Sequence, residues 1–184
     1  LLGFFSAFGL SASAGLNAYI PLLVVALLGR FTHLINLKSP FDVLTSWWII
    51  GLLLVLVTVE FFADKFPAVN HVNDVVQSFI RPAAGAIVFA ASANLFHEIH
   101  PVLALAAGLL TAGAVHTVKS AAIRPAVTAT SGGALNAPVS MLEDLVSTVM
   151  SVLAVVIPIL VVIILLLLLW LVGWFLWRRA QPAK

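Results

Sequence analysis

The stretch Ser11-Ala12-Ser13-Ala14-Gly15-Leu16-Asn17-Ala18-Tyr19-Ile20-Pro21 interrupts an otherwise apolar run from residue 1 to 29, and its reading decides the fold. A run of that length spans the ~30 Å hydrocarbon core of a bilayer at ~1.5 Å per residue. Small and polar residues at its centre have two physical readings. In the first, they let two helix backbones approach closely, as at helix contacts in apolar surroundings. In the second, the helix unwinds there and its freed backbone groups line a site. The close-contact reading is the simpler and is preferred. Leu1 to Leu10 followed by Ala12-Ser13-Ala14 has the shape of a signal-peptide core and cleavage site, but no basic residue precedes it, so it reads as a membrane helix.

Working outward, the rest of the chain has the same character. Hydrophobic residues make up 62% of the 184 and charged residues only 9%, with a mean hydropathy of +1.17. That composition is far from a soluble domain's and points to one membrane-embedded bundle. The net charge of +2 comes from nine Lys and Arg against seven Asp and Glu, with no basic run suited to nucleic acid. The absence of cysteine excludes disulfides, thiolate metal sites and cysteine nucleophiles.

The expected segments are 1–29, 41–63, 74–96, 101–119, and 140–177 as one long kinked element or two short ones. Ser39-Pro40-Phe41-Asp42 reads as the start of the second, and Trp47 and Trp48 suit the headgroup level. Pro82 bends or starts the third. His116 and Lys119, three apart at the end of the fourth, allow a proton-linked pair but read first as caps of the helix C-terminus. Ser140-Met141-Leu142-Glu143 has capping-box spacing. The 38 residues from Ser140 to Trp177 make about 57 Å as one helix, almost twice a bilayer core. Charge placement favours six spans and segment length favours five. In both, the Arg178-Arg179 tail lies in the cytoplasm. Two short matches, Leu-Asn-Ala at 16–18 and 135–137 and Arg-Pro-Ala at 81–83 and 124–126, hint at duplication around a central site.

A charge at membrane depth costs roughly 2.5–3.5 kcal/mol or more, so ionisable residues in such a chain mark interior or hydrated positions. Arg81 and Arg124 each precede proline, where a helix often begins, and suit a phosphate or carboxylate. Lys119, Asn17, Asn136, Ser131 and Gly132 complete the candidate substrate-binding set, with Thr130-Ser131-Gly132-Gly133 offering a backbone nest. Glu60, Asp64, Asp74, Glu143 and Asp144 are the candidate coupling or ion-binding residues; Glu60 and Asp64, four apart, share a helix face. The alternative for all of them is a structural ion-pair network or headgroup contact. His97 and His100 flank Glu98 without the H-E-x-x-H spacing and read as surface histidines, so no metal site and no cofactor is expected. No nucleophile, Walker or haem motif supports an enzyme, although action on lipid headgroups stays open.

The stretches SASAGLNAYIPLL (11–23), VEFFADKFPAVNHVNDVVQSFIRPAAGA (59–86) and HTVKSAAIRPAVTATSGGALNAPVS (116–140) resemble the bacterial membrane proteins catalogued as domain of unknown function 4126. The resemblance covers about residues 3 to 160 and is weakest over the apolar tail from Val155 to Trp177. It implies a polytopic protein of a bacterial inner (plasma) membrane and carries no mechanism.

The expectation is therefore an all-α integral membrane protein of five to six transmembrane segments, with broken or re-entrant elements near Ser11–Asn17 and Thr128–Pro138. The preferred function is a small transporter or flippase-like carrier for an anionic or phosphate-bearing solute or lipid, proton- or cation-coupled. The alternatives are a small cation channel or exchanger and a non-transporting scaffold or assembly subunit. The expected partners are the lipid bilayer, the anionic solute or lipid phosphate and further copies of the chain in a homo-oligomer.

Overall fold

The computed structural model describes residues 2–63, 67–93, 99–158 and, further on, residues 160, 163, 164, 166, 167, 170, 171, 174 and 178. Among these the chain is all-helical. Its elements are α1 (Leu2–Leu16), α2 (Tyr19–Phe31), α3 (Trp47–Ala63), α4 (Pro67–Ala93), α5 (Pro101–Val118), α6 (Arg124–Ser131) and α7 (Asn136–Val156). Three helical stretches are long and apolar enough to cross a membrane: Val75–Ser92, Pro101–Ser131 and Asn136–Val156. Shorter apolar helices cover Gly3–Leu16, Tyr19–Phe31 and Trp47–Ala63.

Both readings of the opening stretch describe something real. The helix runs unbroken through Ser11, Ser13 and Gly15, which make close contacts, and it breaks just after them at Asn17 and Ala18. Close packing is achieved by small residues. A Cβ on Gly15 would meet the Ala112 carbonyl oxygen and the Val115 side chain at 2.6 Å. Where α4 crosses α5, a Cβ on Gly108 would collide with the Gly85 carbonyl oxygen, and one on Gly85 with the Ala112 Cβ. The Ser11 hydroxyl donates to the Gly108 carbonyl at 2.7 Å. Ser13 reaches the other way, into α7, meeting the Ser147 carbonyl at 2.7 Å and the Ser151 hydroxyl at 2.6 Å. These contacts run α1 parallel to α5 and antiparallel to α7.

The break at Asn17 reverses the chain. At the start of α1, Phe4 and Phe8 pack edge-on against Phe89, and Phe41 packs on the same cluster as Ala7 and Phe89. At the end of α2, Arg30 donates to the Thr45 carbonyl at 2.9 Å and lies 4.4 Å over the Trp47 ring. The free ends of both helices therefore flank the same short segment, residues 41–47. Helices α1 and α2 form a hairpin with its tip at Asn17-Ala18. The 15 and 13 residues of its arms reach only about 22 Å and 20 Å.

Several local expectations give way to tertiary context. Ser39-Pro40-Phe41-Asp42 leads into a 3-10 turn, Phe41–Thr45, and α3 begins at Trp47. Pro82 lies inside α4, which starts two turns or more before it. The helix expected to end near Lys119 continues through a π-helical turn, Lys119–Ile123, into α6. Ser140 does not cap: α7 starts at Asn136, one turn earlier, and Ser140 is buried on its inner face. Within residues 128–138 the helix does break, at a tight turn, Gly132–Leu135, with Gly132 at φ 60° and Gly133 at φ 91°. Helix α7 ends at Ile157, where the following Pro158 disfavours helical backbone. The described residues from 158 to 178 are helical again, and Ile164 packs on the core cluster that contains Val25, Leu53 and Met150.

Candidate functional site

Polar groups of the interior gather around the hairpin tip. Breaking a helix frees carbonyls at the end of one half and N–H groups at the start of the other. Asn17 meets the second need: its Oδ1 accepts the Tyr19 and Ile20 N–H groups at 3.1 and 3.0 Å. Its Nδ2 donates to Asp144 Oδ1 at 2.9 Å. The first need is met by Lys119, whose Nζ donates to the Leu16 carbonyl at 2.9 Å. A cation there also complements the negative end of the α1 dipole.

Lys119 Nζ lies 2.8 Å from Glu143 Oε2, and Arg124 donates to the same oxygen at 3.0 Å. Two cations thus converge on one carboxylate oxygen. The π-helical turn makes this convergence happen. In a regular α-helix, residues five apart point about 140° from each other. Here the Arg124 N–H bonds to the Lys119 carbonyl, an i to i+5 bond, and stacks the two residues on one face.

A second cluster adjoins the first. Arg81 is wholly buried and donates to Glu60 Oε1 at 2.9 Å, with Glu60 only 2% exposed. The other arginine–glutamate pair has the same pattern, an Arg-Pro arginine meeting a glutamate on a neighbouring helix. Arg81 also faces His116 Nδ1 at 3.3 Å. Because a guanidinium only donates, Nδ1 accepts, so the ring is neutral and its Nε2–H points to the Ser78 hydroxyl 3.1 Å away. His116, three residues before Lys119, lies in the field of both clusters. The Tyr19 side chain at the start of α2 lies near Gln77, Glu60 and Arg81.

Of the residues singled out in the sequence, Arg81, Lys119, Arg124, Asn17, Glu60, Glu143 and Asp144 meet at this place. Ser131, Gly132 and Asn136 stay in the α6–α7 turn, where Asn136 Oδ1 accepts from Thr128 at 3.1 Å and Ser131 bonds within its own turn. Asp64 lies outside the described residues, as do His97 and Glu98, and so does the Asp74 side chain. His100 caps α5 locally, its Nδ1 accepting the Val102 N–H at 3.3 Å. Among the described residues no group of three or more His, Cys, Asp or Glu could hold a metal.

Sequence reasoning missed Ser78, Gln77 and Tyr19, and it treated His116 as a cap. It also missed the serine contact of α1 with α7. A signal existed: Ser140, Glu143, Ser147 and Ser151 fall three or four apart in an apolar run, which is one polar stripe on a helix.

Chemically, the arrangement can hold a charge exchange. Buried cations from three positions face two carboxylates beside the helix break, each at 2.8–3.0 Å. No curated protein matches the chain, and no solved structure does. A family model does, over residues 4–178, and the chain belongs to that family, the one described as Domain of unknown function (DUF4126).

Proposed function

We propose that the chain is an integral membrane protein of a bacterial inner membrane that carries an anionic or phosphate-bearing solute or lipid. The observation that carries this reading is the burial of Arg81, Lys119, Arg124, Glu60 and Glu143 around a helix break inside an apolar bundle. Soluble proteins rarely bury five charges together, and in a lipid-facing bundle such charges mark pathways and relays.

The outer surface supports the bilayer. Trp47, Trp48, Leu52, Val55 and Val59 are exposed along α3, and Leu103, Leu110, Leu142, Leu145 and Val149 are exposed along α5 and α7. With Trp47 at one headgroup level, Glu60 lies about 20 Å deep and Lys119 about 27 Å from Pro101, in the far half of a ~30 Å core. The α1–α2 hairpin is then re-entrant. Its non-helical tip is tolerated at that depth because it is buried and its polar groups are met. Helices α3, α4, α5 and α7 cross in alternation, and the helical residues after Pro158 return along the bundle. Lys119, Arg124 and Arg178 then share one side, while Arg30 and Lys38 lie on the other. By the positive-inside rule the first side, and the C-terminus, is cytoplasmic.

The test is flux in sealed proteoliposomes, with labelled phosphate, sulfate and succinate and with fluorescent phosphatidylglycerol. Wild-type protein moves at least one of them faster than empty liposomes, and Arg81→Gln and Arg124→Gln each abolish the movement. Flux that is untouched by both changes removes the reading. Flux of a cation that survives Arg124→Gln but not loss of Glu60 with Asp64 turns it into a channel or exchanger.

A second reading has its own support. Arg81, Lys119 and Arg124 each meet an internal carboxylate, as in a structural network. Stoichiometric co-purification of another membrane protein, together with silence in every flux assay, turns the chain into a scaffold subunit.

A further inference from the structure

We infer that Glu143 is an internal stand-in for the carried oxyanion: its carboxylate occupies the place between Lys119 and Arg124 that a carboxylate or phosphate oxygen takes when the site is loaded. This rests on the carrier reading above and deepens it. The geometry is that of a bound ligand. A single oxygen, Glu143 Oε2, receives Lys119 Nζ at 2.8 Å and Arg124 at 3.0 Å. The two cations are presented together by the π-helical turn, while the anion comes from a separate helix, α7. The pair is also the accessible end of the network. The Arg124 and Glu143 side chains are 9% and 10% exposed, against 1% for both Arg81 and Glu60.

Charge balance brings in a proton. An arriving oxyanion displaces the carboxylate, and two anions cannot share a buried spot with unchanged charge. Glu143 takes a proton from water as the oxyanion enters and returns it as the oxyanion leaves. Lys119, Arg124, a singly charged oxyanion and a neutral Glu143 carry the same total charge as Lys119, Arg124 and an ionised Glu143. The other groups facing this spot are Asn17 and the Leu16 carbonyl from α1, His116 from α5 with Arg81 behind it, and Asp144, Ser140 and Ser147 on α7 itself. None of them needs to change charge. Transport through this site therefore couples one proton to each oxyanion, electroneutral for a monoanion and carrying one net negative charge for sulfate.

The experiment removes the stand-in and supplies an external one. Sulfate is the probe, because its charge is constant between pH 5.5 and 7.5. In phosphatidylcholine nanodiscs, Glu143→Gln melts below wild type, and saturating sulfate restores roughly 5 °C or more. Wild type at pH 7.5 responds little, and the double variant Glu143→Gln with Arg124→Gln does not respond. If phosphatidylglycerol discs restore the variant and sulfate does not, the oxyanion is a lipid headgroup; if sulfate does, it is a free solute. Restoration by neither overturns the inference. Should the variant not fold, wild type gives a second measurement: its sulfate affinity strengthens about tenfold per unit fall in pH over that range, the slope of one linked proton. A flat profile overturns the inference by itself. Rescue without any flux removes the carrier and leaves the oxyanion site. Flux without rescue leaves the carrier and removes the role of Glu143.

Discussion

Lys119 holds the carbonyl oxygen of Leu16 at 2.9 Å across 103 residues of sequence, so one ammonium closes the open end of a broken helix. The same ammonium meets Glu143 at 2.8 Å. Structure and charge balance therefore pass through a single side chain.

Removing that side chain leaves Glu143 with less compensation and the Leu16 carbonyl unmet. Lys119→Met is expected to cost about 3–5 kcal/mol, the usual result of breaking a buried ion pair from one side. Denaturation in mild detergent measures it. Lys119→Arg keeps the charge but replaces a compact donor with a planar fork, and falls between wild type and Lys119→Met. A loss near zero for Lys119→Met means that the hairpin tip is held by other contacts.

The Arg81–Glu60 pair is buried on both sides, so its members depend on each other. Glu60→Gln and Arg81→Gln each destabilise by about 3 kcal/mol or more. Arg81→Gln is the worse of the two, since it also strips His116 Nδ1 of its donor. The double change costs less than the sum, by about 1–3 kcal/mol of coupling. Strict additivity in this double-mutant cycle contradicts the pairing.

Glycine positions separate packing from propensity. Gly108→Ala and Gly85→Ala drive a methyl group into α4 or α5 and cost about 1–3 kcal/mol or more, read as a lower melting temperature. Gly113→Ala meets nothing closer than the Pro82 ring at 3.8 Å, and Gly51→Ala meets nothing within 4 Å. Both of these gain helix propensity and are neutral or mildly stabilising. Equal sensitivity at all four positions argues against the α4–α5 crossing.

The chain has no cysteine, so single cysteines report topology without background. In sealed proteoliposomes of uniform orientation, Phe4→Cys and His33→Cys are reached by an impermeant maleimide from the same side, and Gly132→Cys from the opposite side. Labelling of Phe4→Cys and His33→Cys from different sides requires α1 and α2 to be one span and dissolves the hairpin.

Much of this architecture is legible in the residues alone. Composition and the long apolar runs specify an all-helical bundle, because lipid-like surroundings leave little else for the backbone. The cost of stray charges picks out Arg81, Lys119, Arg124, Glu60 and Glu143 as interior groups. The hairpin is not legible. Thirty residues of apolar sequence fit a single span as well as two short arms, and only contacts made by Phe41 and Thr45 choose between them. Nor is the meeting of Lys119 with Arg124, since helix periodicity sets them on different faces and a π turn leaves no mark in sequence. Asn136 and Ser131 resemble Asn17 and Ser13 in their sequence surroundings. Their partners decide the difference: Asn17 and Ser13 find groups on α7, whereas Asn136 and Ser131 bond within the α6–α7 turn.

The hairpin tip also sets an order of assembly. Ser11, Ser13, Leu16 and Asn17 lie near the start of the described chain, yet their partners are Gly108, Ser147, Lys119 and Asp144. As the chain emerges from the ribosome, the segment made early has no permanent place until α5 and α7 exist. Its Ser13, Leu16 and Asn17 contacts with α7 and Lys119 close only after those parts of the chain have been made. Chains cut short before α7 thus lack the partners that the Ser13 hydroxyl and the Asn17 Nδ2 find there.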